Sequence, residues 1–271
     1  MRGSSTDSSP RPRRAVTGLL VLLGTLSCGG PPYAIEETRL PLALGDGTVD
    51  LVRFDAEAEG RTFLNLHDDE QTSVEAALDL LAREGGTVFE LQHGGERNLR
   101  FALAGAEYVF DPNRMFSDGG AMVSLAALGT STPEAFAAVR AFADEVLEQW
   151  DLAGHGTVIA LHNNAGESYR IDVYQPGGAH EADAAEVFVG SRQASSEFFF
   201  VTDPALFEGL RALDFNVVLQ DNAGAPDDGS LSIHCARQGL PYANSEALQG
   251  HRPEQLEMLS GLQAVLEDLG R

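Results

Sequence analysis

The 271-residue chain contains no lysine: all 18 of its basic residues are arginine, against 41 acidic residues. The absence of lysine excludes enzymes that form a Schiff base through that side chain and nucleotide sites built on a P-loop lysine. The formal net charge of −23 disfavours nucleic-acid phosphates and anionic lipid headgroups as partners, because like charges repel. We therefore expect no nucleic-acid partner.

Cysteine is also scarce, since the chain contains only Cys28 and Cys235. No disulfide framework is expected from so few thiols. Cys235 lies in the segment SLSIHCARQ and is predicted to be a small buried thiol rather than a nucleophile. The chemistry of this protein must therefore come from residue types other than lysine and cysteine.

Residues 1–28 have the order of a secretory signal peptide. Arginines come first, the apolar run AVTGLLVLLGTL follows, and small residues end the segment. The run is shorter than the ~20 apolar residues that a membrane span needs. The ending TLSCGG resembles a bacterial lipobox, in which the cysteine, here Cys28, becomes the lipidated first residue of the mature protein.

These features predict an exported protein held at the membrane only through a lipid on Cys28. Plain secretion into the periplasm or the extracellular space and a retained anchor are the alternatives. Residues 29–37 (GGPPYAIEE) would form a short tether, and residues 38–271 would form a single domain.

Apolar runs of strand length alternate with helical patterns along residues 38–271. Two compact apolar runs predict buried strands that end at His67 and His162, and hairpin signals lie around residues 45–47 and 104–105. Strands that alternate with helices predict an α/β fold, with a mixed, mostly parallel open sheet and helices on both faces.

Both histidines therefore lie where open sheets bind ligands, at the carboxyl ends of strands. Glu70 follows His67 by three residues, and imidazole nitrogen and carboxylate oxygen both suit Zn²⁺. With His162, these side chains would form a three-ligand catalytic site whose fourth position stays open to water. A simpler interpretation remains open, in which Asp68, Asp69 and Glu70 only stabilise the dipole of the helix that follows.

The same spacing recurs at His93 and Glu96. This second pair leads through glycines into another strand, whereas the first pair stands between a compact strand and a clear helix. We therefore predict that His93 and Glu96 belong to a polar turn.

A third motif, DPNRMF at residues 111–116, follows these pairs. Together with HDDE at residues 67–70 and LHNN at residues 161–164, it resembles the zinc carboxypeptidase superfamily, above all the branch that contains succinylglutamate desuccinylase and aspartoacylase. The resemblance covers roughly residues 60–250, although it is concentrated in these short motifs. It implies a carboxypeptidase-like fold with Zn²⁺ as cofactor.

The resemblance also implies roles for individual residues. His67, Glu70 and His162 would be the zinc ligands, and Asn113 and Arg114 would bind a substrate carboxylate. A guanidinium suits the last role because its planar fork can bind a carboxylate through two hydrogen bonds. The alternative for Arg114 is an ordinary salt bridge, which would contribute little.

Glu246, in LPYANSEAL, is the predicted general base or acid. Glu257 is the second choice, and an ordinary structural acid is the alternative for Glu246. Arg97 is preferred over Arg100 as the cation that stabilises the oxyanion. The chain departs from the superfamily at Ala160, where an aspartate often stands two residues before the strand-end histidine, so any carboxylate behind the metal ligands must come from elsewhere.

The motifs together predict a zinc-dependent hydrolase, either a metallocarboxypeptidase or a deacylase-like amidohydrolase, that cleaves an amide bond next to a free carboxylate. The expected substrates are small anionic peptides, including cell-wall peptides, and N-acyl amino acids. The first alternative is a noncatalytic ligand-binding lipoprotein that keeps this fold, and the second is a structural periplasmic domain without a metal.

Overall fold

The computed structural model describes residues 16–20 as backbone, and residues 33–166 and 169–271 with their side chains. Cys28 and most of the predicted signal peptide lie outside the described residues. Among the helices of the described part, none is long and apolar enough to cross a membrane.

Strands make up the centre of the molecule. Their bounds are β1 Val16–Leu20, β2 Ile35–Leu44, β3 Gly47–Ala56, β4 Thr62–Asn65, β5 Thr87–Gln92, β6 Leu99–Leu103, β7 Ala106–Phe110, β8 Val158–Asn164, β9 Ala184–Phe188, β10 Phe198–Val201, β11 Val217–Gln220 and β12 Tyr242–Leu248. The described α-helices are α1 Gln71–Glu84, α2 Asp118–Leu128, α3 Pro133–Trp150, α4 Pro204–Ala212, α5 Leu231–Gln238 and α6 Arg252–Asp268.

One large sheet has the strand order β1-β2-β3-β5-β4-β8-β12-β10-β11-β9, and β6 and β7 form a separate hairpin. Parallel pairing joins β5, β4, β8 and β12 in the middle of the sheet, and it also joins β10 to β11. Antiparallel strands flank this centre. The predicted mixed α/β sheet is therefore confirmed, and its parallel pairs lie in the interior; of the nine described pairings in this sheet, four are parallel and five antiparallel.

Helices cover both faces of the sheet, as predicted. One core lies under α1, α4 and α6 and includes Ile159 and Leu161 of β8. The other lies under α2, α3 and α5 and includes Val158 and Ala160 of the same strand. Because side chains alternate along a strand, β8 contributes to both cores.

Local signals account for most of these elements. Helix α1 ends at Gly85, whose φ of +84° is readily adopted by glycine. Helix α3 begins after Thr132, whose side chain accepts a hydrogen bond from the backbone N–H of Ala135 at 3.1 Å. Both predicted hairpins, β2–β3 and β6–β7, are present.

Some elements were not predicted. Helix α2 begins with an Asp-Gly-Gly sequence typical of a loop, and α5 has only eight residues, so neither carries a strong periodic signal. Strand β8 continues two residues beyond His162, to Asn164. Cys235 lies in α5 and is fully buried, as predicted, and burial raises the pKa of its thiol to about 12.

Candidate functional site

The candidate site lies where β4, β8 and β12 end. His67 follows β4 by two residues, His162 lies near the end of β8, and Glu246 pairs directly with His162 in the parallel register of β8 and β12. Alternation along the strands brings His162 and Asn164 to the same side as Asn244 and Glu246. The topology therefore gathers residues from distant parts of the chain at one edge of the sheet.

His67, Glu70 and His162 meet in a buried triad. The Nδ1 atoms of the two histidines are 3.2 Å apart. Glu70 lies between the imidazoles, with Oε1 2.9 Å from Nδ1 of His67 and Oε2 2.9 Å from Nδ1 of His162. All three residues are at least nine-tenths buried. The structure thus brings together the three predicted metal ligands, whose ligand atoms lie within 4.8 Å of one another.

The donor set of the triad fits a divalent metal ion. Ligand bonds of ~2.0–2.1 Å in a tetrahedral site imply ligand atoms about 3.3 Å apart. The distances of 2.9–3.2 Å within the triad are close to this value. Two nitrogens and one carboxylate leave a fourth position for water or substrate, which is the composition of catalytic rather than structural zinc sites.

Asp111 supplies the carboxylate that stands behind the triad. Nε2 of His67 donates to Oδ1 of Asp111 at 2.8 Å, and the same oxygen accepts the backbone N–H of Asn113 at 2.8 Å. A hydrogen bond at Nε2 fixes the ring orientation and leaves Nδ1 to face the ion. The sequence motifs alone do not assign this role to Asp111, although it is the first residue of DPNRMF.

The carboxylates around His67 determine its charge. Burial alone would lower the pKa of His67, but Glu70 and Asp111 outweigh burial and raise it to about 9. Burial would raise the pKa of both carboxylates, yet contact with His67 holds each of them well below its usual range. Burial lowers the pKa of His162, although Glu70 opposes the shift. Without a metal, the positive charge of the triad therefore resides on His67.

Asp68 does not act at the start of α1, contrary to the simpler interpretation of the acidic run. Its Oδ2 accepts the backbone N–H groups of His93 at 2.5 Å and Gly95 at 2.7 Å. This anchors the turn that leads to Arg97, whose Nη1 donates to Oε1 of Glu70 at 2.5 Å. The residues predicted as a polar turn therefore form one, and this turn leads directly to Arg97.

Two of the alternative residues lie away from the triad. Arg100 is exposed on β6, and none of the described salt bridges or side-chain hydrogen bonds joins it to the site. Glu257 is exposed on α6 and pairs with Arg192 at 2.5 Å. The first-choice residues, Arg97 and Glu246, line the same cavity as Glu70 and His162.

Glu246 is 4% exposed and has no basic hydrogen-bond partner among the described residues. The side-chain amide of Asn164 donates to its Oε1 at 3.3 Å, and that of Asn244 donates to its Oε2 at 3.4 Å. Burial and the charge of Glu70 raise the pKa of Glu246 to about 8. A carboxyl group with a raised pKa beside a metal site is a candidate general acid or base.

Asn113 and Arg114 line the same cavity. Asn113 Oδ1 accepts the backbone N–H of Leu231 at 2.9 Å, and Phe116 N donates to Gly229 O at 3.0 Å. Gly229 has a φ of +79°, and a Cβ there would collide with the carbonyl oxygen of Arg114. These contacts fix the backbone of Asn113 and Arg114, the two residues predicted to bind a substrate carboxylate.

The guanidinium of Arg114 retains donors for a ligand. Its Nη1 donates to the carbonyl oxygen of Asn113 at 2.7 Å and lies 3.4 Å from Oδ2 of Asp228. The side chain is 37% exposed and lines a cavity of about 640 Å³ that also contains Glu70, His162 and Glu246. The triad, Glu246 and Arg114 therefore share one cavity.

No protein-family model matches the chain, and no curated protein matches it. Among solved structures, the chain is similar to an aspartoacylase family protein from Mesorhizobium loti, with 14% identity, a TM-score of 0.42, and coverage of 93% of this chain and 70% of that one.

Two further solved structures are similar over most of the chain. The murein-tripeptide amidase MpaA from Escherichia coli O157 has 13% identity and a TM-score of 0.44, covering 89% of this chain and 93% of that one. The ectoine utilization protein EutE from Ruegeria pomeroyi has 13% identity and a TM-score of 0.45, covering 94% and 70%.

Proposed function

We propose that the protein is a zinc-dependent amidohydrolase that cleaves an amide bond next to a free carboxylate. The observation that carries the proposal is the buried triad, in which two imidazole Nδ1 atoms and the Glu70 carboxylate converge within 3.2 Å. Glu246 on the adjacent strand and Arg114 in the lining of the same cavity supply the further groups that such a reaction needs.

A divalent ion held by His67, Glu70 and His162 would polarise a substrate carbonyl and lower the pKa of water to ~7. Glu246, in its ionised form, would accept a proton on a carboxylate oxygen from the attacking water and pass it to the leaving amine nitrogen. Arg97 would donate to the carbonyl oxygen as negative charge develops there. Asp111 would keep His67 in the tautomer whose Nδ1 faces the ion.

Substrate binding would depend on Asn113 and Arg114. A guanidinium carries a permanent positive charge, and the spare N–H groups of Arg114 match the two oxygens of a carboxylate. Asn113 and Arg114 line the same cavity as Glu246. This supports cleavage of an amide bond close to the substrate carboxylate that they would bind. Peptides with a free carboxyl end, including cell-wall peptides, and N-acyl amino acids have this arrangement.

Export and lipidation at Cys28 belong to the proposal as well, supported by the order of charged, apolar and small residues in residues 1–28. Growth of an expressing bacterium with a clickable palmitate analogue should label the wild-type protein and leave Cys28→Ser unlabelled. Equal labelling of both proteins would contradict lipidation at this cysteine.

Metal content tests the ligand assignment. Elemental analysis of the purified wild type should show one zinc per chain, and both His67→Ala and His162→Ala should lose it. His155→Ala is the matched control, because His155 lies before β8, bonded to Thr62 Oγ1 at 3.1 Å and Trp150 O at 2.6 Å. Stoichiometric zinc in both triad variants would refute the assignment.

Turnover tests the reaction. The zinc-loaded wild type should hydrolyse N-acyl amino acids or peptides with a free carboxyl end, and Glu246→Gln should lower kcat by about 10²-fold or more. Glu148→Gln, an exposed substitution on α3, is the matched control. Binding of these compounds without metal-dependent cleavage would favour the noncatalytic lipoprotein instead.

A further inference from the structure

Two buried acceptor oxygens in the lining of the cavity have no hydrogen-bond donor among the described residues. They are Oδ1 of Asp69 and Oδ1 of Asn164. Asn164 is only 6% exposed, so bulk water does not surround its amide. Buried polar atoms are nearly always paired, and two unpaired oxygens in one cavity therefore need an explanation. Because both are acceptors, the group that pairs them must be a hydrogen-bond donor.

Both residues are close to the triad along the chain. Asp69 follows His67 by two residues, and Asn164 follows His162 by two. Two residues of chain separate Cα atoms by at most about 7 Å. The strands that precede them, β4 and β8, are adjacent and parallel, so their carboxyl ends lie at the same edge of the sheet. A group a few bonds away from a carbonyl at the triad can therefore reach these oxygens.

Gln249, which follows β12, connects the two residues. Its backbone N–H donates to the carbonyl oxygen of Asn164 at 2.9 Å, and its side-chain Nε2 donates to the backbone oxygen of Asp69 at 3.3 Å. Gln249 also lines the cavity. These contacts hold the backbones of both acceptors to a single residue. Asp69, Asn164 and Gln249 thus form one group, which we call the rim cluster.

The orientation of the Asn164 amide is fixed by its neighbours. Its Nδ2 donates to the carbonyl oxygen of Ser196 at 2.9 Å and to Oε1 of Glu246 at 3.3 Å. A backbone carbonyl can only accept, so rotation of the amide would bring two acceptors into contact. Oδ1 of Asn164 is therefore the atom that remains for a donor.

The carboxylate of Asp69 has no positive partner among the described residues. The two arginines that line the cavity are engaged elsewhere, Arg97 with Glu70 and Arg114 with Asp228. Burial lowers the pKa of His93, the histidine near Asp69, so this imidazole is neutral at pH 7. The rim cluster therefore offers a negative charge together with two acceptors, and this combination favours a cation that has N–H donors.

The strand order separates the rim cluster from the predicted carboxylate site. Arg114 contacts Asp228 and the neighbouring Asn113 contacts Leu231, and both contacted residues lie between β11 and β12. Asp69 follows β4, which is on the other side of β8 from β12. A substrate with its carboxylate at Arg114 and its scissile carbonyl at the triad directs its amine half toward Arg114. Its acyl half then remains for the rim cluster.

We infer that the acyl half of the substrate carries an ammonium group close to the scissile carbonyl, and that Asp69 and Asn164 bind this group. The inference rests on the proposed function for the position of the scissile bond. An ammonium has three N–H donors and no acceptor, so it pairs both oxygens and neutralises the carboxylate. Peptides with a free amino group beside the scissile bond fit the rim cluster, whereas N-acyl amino acids with an uncharged or acidic acyl group leave its oxygens unpaired.

Three pairs of ligands of matched shape isolate the ammonium group. Glycyl-, β-alanyl- and γ-aminobutyryl-L-alanine carry it at increasing distance from the carbonyl, and N-propionyl-, N-butyryl- and N-pentanoyl-L-alanine have a methyl group in its place. In titration calorimetry with the metal-free full chain, at least one ammonium ligand should bind about tenfold or more tightly than its methyl counterpart. Equal binding within all three pairs, or binding of none of the six compounds, would overturn the inference.

A matched pair of variants tests the role of Asp69. Asp69→Asn keeps the size of the side chain but removes its charge, and it should abolish most of the preference for the ammonium ligand. Asp144→Asn makes the same chemical change at an exposed position of α3 and should keep the preference. An Asp69→Asn protein with the wild-type preference, or an equal loss in both variants, would show that Asp69 does not bind the ammonium.

Hydrolysis separates this inference from the proposed function. The zinc-loaded protein should cleave the preferred ammonium compound with a kcat/KM about tenfold or more above that of its methyl counterpart. Cleavage of both members of every pair at equal rates would support the function and overturn the inference. Preferential binding of the ammonium ligands without cleavage of any of the six compounds would support the ammonium site and overturn the function.

Discussion

Binding of Zn²⁺ to the triad is expected to release one proton at neutral pH. In the metal-free protein, both ring nitrogens of His67 donate to carboxylates, Nδ1 to Glu70 at 2.9 Å and Nε2 to Asp111 at 2.8 Å. Burial opposes this charge, but the carboxylates raise the pKa of His67 to about 9. Because the ion needs the lone pair of Nδ1, the proton must leave when the ion binds.

The size of the effect follows from competition between proton and metal. A pKa of about 9 reduces the apparent zinc affinity by about 100-fold at pH 7 and about twofold at pH 9, so the affinity should rise about 50-fold over this range. That rise corresponds to about 2.3 kcal/mol. His162 adds no further proton because burial lowers its pKa, and Glu70 is already ionised because contact with the histidines lowers its pKa.

Titration calorimetry can measure both quantities. Zinc would be added in competition with a chelator of known affinity, in two buffers that differ in ionisation enthalpy, and the difference in heat gives the number of protons released. Asp111→Asn keeps an acceptor for Nε2 but removes the charge, so it should release fewer protons at pH 7 and show a shallower dependence on pH. An affinity that stays constant between pH 7 and pH 9, with no proton released, would refute this account of the triad.

Three further predictions concern other parts of the molecule. Asp68→Asn weakens the two hydrogen bonds that anchor the turn before Arg97 and should lower kcat by about tenfold with little change in KM. If Asp68→Asn also lowered kcat by about tenfold in an Arg97→Ala background, Asp68 would not act through Arg97. Cys235 should resist iodoacetamide near pH 8 in the native protein and react after unfolding, because it is fully buried and burial raises the pKa of its thiol to about 12. Peptide mapping would locate the modified cysteine. Modification of Cys235 in the native protein would contradict the prediction. Phe142→Ala removes a fully buried ring that packs edge-on against Phe110, and it should lower the free energy of unfolding in urea by about 3–5 kcal/mol. A loss below about 1 kcal/mol would show that neighbouring side chains fill the space left by the ring.

The triad could be predicted from the sequence because its signals are local. His67 and Glu70 stand between a compact apolar strand and a periodic helix, and His162 lies near the end of a buried apolar run. In parallel strands that share a sheet, the carboxyl ends lie at the same edge, so two such residues are expected to be close. The structure places β4 and β8 side by side, and this adjacency brings the imidazoles together.

The partners of the triad and the acceptors in the cavity could not be predicted in the same way, because they depend on contacts between distant segments. Asp111 reaches His67 across 44 residues, and no spacing rule connects the two. The unpaired oxygen of Asn164 results from the hydrogen bond that its Nδ2 donates to the carbonyl oxygen of Ser196, 32 residues away along the chain. Such an excess of acceptors follows from tertiary pairing, not from residue type.

The acidic run beside His67 shows how tertiary contacts override a local electrostatic signal. By sequence alone, three consecutive acids before a helix are explained by its dipole, yet the first turn of α1 contains no acidic residue, and its Ser73 N–H donates to Asn163 of β8 at 2.8 Å. The acids are divided among separate tasks: Asp68 binds the turn that carries Arg97, Asp69 presents an oxygen in the cavity, and Glu70 joins the two imidazoles. Since only Glu70 approaches the candidate ion, the three negative charges near His67 are not concentrated on one cation. The proposed carboxylate site at Arg114 is separate from this run in sequence, and the described contacts of its guanidinium engage only Nη1, so its other donors stay free for a substrate.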